Sequence, residues 1–336
     1  MNILIIQTAY LGDVILTTPL IGQVRCAYPE SRISILVIPQ TADILNRHKD
    51  IDEIIIYDKR KWGGLISKTP GLIRNVYNKF DIAISPHLSA RSAIIAVMSG
   101  ARIRVGFEKS AFKQLYTHRA IYGCGHIVER YANLIKSLGF EIPPDKITLG
   151  VDESDIMRAN EILKGARDKN APLVGIFPQS EWFTKTPPLP LLKTAIKSTL
   201  KEIYFHPVFL GSRADNEISI FSKEVGGIDL MGKTDLNLLK GIVSMLDVVI
   251  SGDSSGVHIA SAFLKPTIVI YGATRPGQGY YPWMNEYYAI MADISCAPCS
   301  PHGGNKCPQG HFNCMNNIRP ENISNRLLDI IKHSKL

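Results

Sequence analysis

The chain has 336 residues, 45% of them hydrophobic and 20% charged, the composition of a soluble globular protein with length enough for two packed domains. No uninterrupted apolar run approaches the ~18 residues of a membrane span, and the opening stretch MNILIIQTAYLGDVILTTPL lacks a basic leader and carries Asp13 where a signal core would be apolar, so a cytoplasmic chain is expected. The net charge is +8, and residues 51–119 alone hold twelve Lys or Arg against five Asp or Glu; such a segment suits an acidic substrate or an anionic membrane surface, and no recognisable module supports nucleic acid.

In chain order, short β-branched runs alternate with segments of helical period: NILIIQ (2–7), RISILVI (32–38), EIIIY (53–57), FDIAIS (80–85) and RIRVGF (102–107). Strands apolar on both faces and separated by helix-length connections predict βαβ units around a mainly parallel sheet. The stretch GFEIPPDKITLGVDESD reads as a linker, after which the alternation restarts with PLVGIFP (172–178), YFHPVFLG (204–211), DVVISGD (247–253) and PTIVIYG (266–272). The expected fold class is therefore α/β with two Rossmann-like domains, over 1–160 and 161–318, facing across a cleft. A terminal helix over 319–336, with Leu327, Leu328, Ile330 and Ile331 as its apolar stripe, is expected to pack back on the first domain.

Open parallel sheets bind ligands beyond the carboxyl ends of their strands, and three loops there carry suitable chemistry. In the first, Ala9–Asp13, Gly12 permits close backbone approach; Asp13 reads equally as a helix cap or as a base at the cleft. In the second, PQSEWFTK (178–185), Ser180 and Lys185 are able to reach one phosphate, although Lys185 reads as well as a solvated loop lysine. In the third, SGDSSGVH (251–258), a strand runs into Asp253, Ser254, Ser255 and Gly256 at a helix start, where unpaired N–H groups and the helix dipole favour an anion.

GDSSG also fits the G-x-S-x-G nucleophile string, so a serine hydrolase using Ser254 is the alternative enzyme, and a non-catalytic nucleotide-sugar-binding module is the third reading. Neither a G-x-G-x-x-G nor a P-loop string occurs. The stretch CAPCSPHGGNKCPQGHFNC places Cys296, Cys299, Cys307 and Cys314 close in sequence; a metal site, free thiols and redox-sensitive bridges all stay open. Cys26 and Cys124 read as buried single cysteines, and Asp50-Ile51-Asp52 as a polar strand entrance rather than a metal-binding pair.

Taken together, AYLGDVILTTP, SEWFTK and GDSSGVHIASAFLKPTIVIYGATRP, with the cysteine-rich stretch, resemble the heptosyltransferases of lipopolysaccharide core assembly, glycosyltransferase family 9. The resemblance implies the two-domain GT-B fold, no cofactor and no catalytic metal. It implies an ADP-heptose donor, a lipopolysaccharide inner-core acceptor, and work at the inner face of the inner membrane. By position, Asp13 matches the proposed general base. Ser180 and Lys185 match donor-pyrophosphate contacts, joined by the backbone at Ser254, Ser255 and Gly256. Asp253 matches a contact to the heptose hydroxyls, Asp215 (or its neighbour Glu217) an acidic group near the ribose, and His258 the histidine of the family string. Ser255 stands where glycine is usual, and Glu181 where a hydroxyl residue is found. Lys59, Arg60, Lys61 and Arg91 are the candidates for receiving the acidic acceptor.

Overall fold

The computed structural model describes residues 1–58, 74–167 and 171–333. The chain divides into two compact units, Met1–Gly150 and Val151–Leu336. The division lies ahead of the expected one after residue 160, because that position falls inside a helix, Glu153–Arg167, which packs within the second unit.

The first unit carries β1 (Asn2–Ile6), α1 (Leu11–Leu16), α2 (Thr18–Ala27), β2 (Arg32–Val37), α3 (Pro39–Ala42), β3 (Glu53–Ile56), β4 (Ile82–Ile84), α4 (Ala90–Met98), β5 (Ile103–Phe107), β6 (His118–Ala120) and α5 (Ile127–Lys136). Its sheet is parallel in the order β3-β2-β1-β4-β5-β6. β1 lies at the centre with Ile3 to Ile6 wholly buried; Leu4 and Ile6 meet Ala93, Ile95 and Ala96 of α4 on one face. That double burial is why the strand reads as a continuous apolar run.

The second unit carries α6 (Glu153–Arg167), β7 (Leu173–Phe177), α7 (Leu189–Glu202), β8 (His206–Gly211), α8 (Asn216–Glu224), β9 (Ile228–Met231), α9 (Leu236–Ser244), β10 (Val248–Gly252), α10 (Ser255–Ala262), β11 (Thr267–Tyr271), β12 (Tyr287–Met291), α11 (Asn313–Asn316) and α12 (Pro320–His333). Its sheet is again parallel, in the order β12-β11-β10-β7-β8-β9. Counted from β7, this is the strand order of the first sheet, so the Rossmann-like reading of both halves holds. The strands β6, β9 and β12, absent from the sequence reading, are the outer or edge members; their partly exposed residues break the apolar runs that reveal a central strand.

The terminal helix departs from expectation. α12 packs against α7 in the second unit, where Ile323, Leu327, Ile330 and Ile331 join Leu192 and Ile196 in one core. Its apolar stripe is thus consumed by its own half of the chain, and not by the first domain. Among the described residues, no helix is long and apolar enough to cross a membrane.

Candidate active site

In each sheet the strand order reverses between its first and fourth strands, and the crevice outside their carboxyl ends is where such folds take ligands. In the second unit that crevice is fed by the loops after β7 and β10. The β7 loop carries Ser180 and Lys185. The Ser180 N–H donates to Thr186 Oγ1 at 3.2 Å, and Ser180 Oγ accepts the Trp182 N–H at 3.4 Å, so these hydroxyls fold the loop on itself. Phe183–Lys185 then forms a short 3-10 turn. Two strands away, the Ala273 N–H donates to the Thr184 carbonyl at 3.2 Å, and the Gly304 N–H donates to Thr184 Oγ1 at 2.8 Å. The Lys185 loop is therefore tied both to the segment after β11 and to the segment at Gly304.

The β10 loop meets it directly. Lys185 Nζ lies 2.9 Å from Asp253 Oδ2, with the lysine side chain 15% and the aspartate 6% exposed. The same Oδ2 accepts the Thr274 hydroxyl at 2.7 Å. Lys185 is thus no freely solvated loop lysine, and Asp253 is held by two groups before any ligand arrives. Thr274 is a site residue that the sequence reading did not single out; its signal was its place just past β11, at the carboxyl edge of the sheet. Beside them the Tyr271 hydroxyl is buried, and burial, reinforced by the Asp253 carboxylate, keeps it protonated.

Two glycines explain how the loops come so close. A Cβ on Gly252 would run into the Lys185 carbonyl oxygen, and one on Gly256 would stand 2.7 Å from the Phe177 ring. Only hydrogen at these positions lets β10 and α10 seat against the β7 loop. Ser254 is the N-cap of α10, with extended backbone and no side-chain capping bond; its hydroxyl lies 3.0 Å from that of Ser251. That extended backbone is not the strained elbow of a hydrolase nucleophile. Ser255 occupies the first helical position, a role that needs no glycine; in the same turn the Val257 N–H donates to the Ser254 carbonyl at 3.1 Å, which leaves the N–H groups of Ser255 and Gly256 as the ones an anion would meet. His258 is buried further along the same helix.

Asp215 is the N-cap of α8, its Oδ1 accepting the Ile218 N–H at 3.1 Å, with Glu217 in the first turn. Both line a cavity of about 640 Å³ whose walls include Pro178, Phe183, Pro187 and Phe312. Phe183 and Phe312 stack there with ring centroids 4.7 Å apart. The cavity thus combines apolar and aromatic walls with two carboxylate residues. Glu181 is exposed on the β7 loop.

In the first unit, Gly12 and Asp13 lie in the first turn of α1, which begins at Leu11, so the expected loop is shorter than read. The N-cap is Tyr10; Asp13 is partly exposed one turn in and is not the cap residue. Arg91 is exposed on the first turn of α4, its guanidinium 6.0 Å from the centroid of the Tyr57 ring. Lys59, Arg60 and Lys61 lie outside the described residues. The Asp50–Asp52 string is a strand entrance: Asp52 Oδ2 accepts the Ile33 N–H at 2.7 Å and the Arg25 guanidinium at 2.8 Å.

All six cysteines are free thiols, and Cys26 and Cys124 are exposed, not buried as read. Cys307 sits in a turn whose N–H groups, that of Phe312 foremost, hold its thiol below the ordinary value, whereas burial and then the neighbouring Cys296 and Cys307 push Cys299 up. Among the described residues, no three His, Cys, Asp or Glu side chains are grouped to hold a metal ion.

Two parallel sheets of one strand order, each with its own reversal point, are the pair of Rossmann-like units that make up the GT-B fold class. The family model of glycosyltransferase family 9 (heptosyltransferase) matches residues 71–307, and the chain belongs to that family. It is 24% identical over 353 aligned positions to lipooligosaccharide heptosyltransferase 2 of Haemophilus ducreyi, covering 98% of this chain and 99% of the relative. Among solved structures, a family 9 glycosyltransferase of Veillonella parvula superposes with TM-score 0.83 at 22% identity, over 99% of this chain and 97% of that one. The Escherichia coli ADP-heptose lipopolysaccharide heptosyltransferase II does so with TM-score 0.78 at 18% identity, over the whole of both chains.

Proposed function

We propose that this protein transfers a heptose from ADP-heptose to the inner core of lipopolysaccharide with inversion at the anomeric carbon. The observation that carries the reading is the meeting of Lys185 and Asp253 at 2.9 Å, beside the start of α10, in a chain of the heptosyltransferase family. The donor is suggested by the name of the E. coli relative and the acceptor class by both named heptosyltransferases.

In this reading the ADP moiety lies in the second unit. The adenosine enters the cavity rimmed by Asp215 and Glu217, and the diphosphate meets Lys185, Ser180 and the N–H groups of Ser255 and Gly256. Asp253 turns from Lys185 toward the heptose hydroxyls, and His258 supports the helix that holds the phosphates. An acceptor hydroxyl oxygen attacks the anomeric carbon while its proton passes to the Asp13 carboxylate; the bond to the diphosphate breaks and ADP leaves with the electron pair. Lysine and helix start stabilise the charge growing on the diphosphate. Gly12 lets the acceptor approach Asp13. Arg91, with Lys59, Arg60 and Lys61, receives the acidic inner core, and the positive charge of segment 51–119 holds the protein at the anionic inner face of the membrane.

The test is an assay with purified protein, ADP-heptose and truncated lipopolysaccharide acceptors, following ADP release, acceptor mass and the configuration of the new bond by NMR. Wild type should give one added heptose of inverted configuration. Asp13→Asn should lower kcat by about 100-fold or more with donor affinity kept. Full activity of that variant would remove Asp13 as base, and donor binding without turnover on any acceptor would leave a binding module.

A further inference from the structure

We propose that Tyr271 is a positioning residue for Asp253: its hydroxyl donates to that carboxylate when a diphosphate draws Lys185 away. This rests on the reading above that Lys185 meets the diphosphate of the nucleotide sugar. Tyr271 is the last residue of β11 and is 1% exposed. It shares a small core with Val269 of the same strand and Val257 in the first turn of α10. Ser251 pairs with Val269 and Gly252 with Ile270; carried one residue on, that register sets Asp253 level with Tyr271.

The Tyr271 oxygen is closed off from solvent and has no hydrogen-bond partner among the described residues. A buried hydroxyl left in that state is costly, so a partner in another state of the site gives it a purpose. Its proton is held in place, by burial foremost and then by the Asp253 carboxylate. The neighbouring hydroxyls are already engaged. Thr274 donates to Asp253 Oδ2 at 2.7 Å, Ser251 donates to the Gly252 carbonyl at 2.7 Å, and the Ser254 hydroxyl lies 3.0 Å from that of Ser251. The charge of Asp253 is met by Lys185 at 2.9 Å. Once Lys185 turns to a diphosphate, that carboxylate is left with the Thr274 hydroxyl, and a buried charge that loses its counter-ion is strongly unfavourable. An ionised carboxylate has about four acceptor sites on two oxygens. One oxygen then takes the Tyr271 hydroxyl while the other faces the sugar.

Two measurements separate this role from packing. The first is urea unfolding of the ligand-free protein at about pH 8, above the ordinary carboxylate range. Tyr271→Phe alone should leave the unfolding constant at or below its wild-type value, since no hydrogen bond is lost. In the Lys185→Met background the same change should raise that constant about tenfold, because the hydroxyl has by then turned to the carboxylate. A rise already in the wild-type background, or none beside Lys185→Met, overturns the proposal. The second is calorimetric titration with ADP-heptose. Tyr271→Phe should bind it about tenfold more weakly with its melting temperature kept. Unchanged affinity, or a melting temperature that falls with the affinity, overturns the proposal as well. Should Lys185→Met fail to fold, the titration decides. If wild type binds no ADP-heptose, the proposed function fails separately and the unfolding cycle decides.

Discussion

Lys185 and Asp253 hold each other with little solvent between them, so the energetics of the pair depend on both charges staying. Removing one partner of a buried ion pair leaves the other uncompensated, at a typical cost of about 3 kcal/mol. Asp253→Ala should therefore lower stability by about that much in urea unfolding, and the double variant with Lys185→Met should recover part of it, a coupling that a double-mutant cycle measures. Thr274→Val, which removes the second hydrogen bond to Asp253, should cost about 1 kcal/mol. Among the clustered thiols, Cys307 is held toward thiolate by backbone N–H groups and Cys299 is held away from it by burial. Iodoacetamide labelling followed by mass spectrometry should accordingly find Cys307 modified at lower pH than Cys299.

Just ahead of β3, the Asp52 carboxylate ties the entrance of that strand to β2. The Ile33 N–H, and with it the Arg25 guanidinium, hold Asp52 below the usual carboxylate range. A depressed folded-state value adds stability that is complete above the unfolded value near ~3.9 and is lost as pH falls through the lower folded one. Wild type should thus lose urea resistance below about pH 4 more steeply than Asp52→Asn, which has no such proton to gain. At this scale the central strands were legible because burial on both faces writes an unbroken apolar run. The edge strand β12, with no residue fully buried, writes none. The loops of Lys185 and Asp253 were legible as strand-to-helix junctions. Thr274 was not, since what marks it is a neighbour 21 residues away.

For the molecule as a whole, the end of the chain is part of the second core: α12 closes it over α7. Leu327, 1% exposed there, should cost about 2–5 kcal/mol when cut to alanine, read as a fall in melting temperature. The expectation that this helix joins the first half failed because an apolar stripe announces that a partner exists without saying which. The shared strand order of the two sheets carries a consequence for descent. Each half has its own reversal point served by its own pair of loops, and no residue of one pair belongs to the other. Under the proposed roles, drift in the loops after β1 and β4 changes which sugar is received and leaves the grip on the nucleotide untouched. A lineage of such chains can then diversify its surface glycans one half at a time.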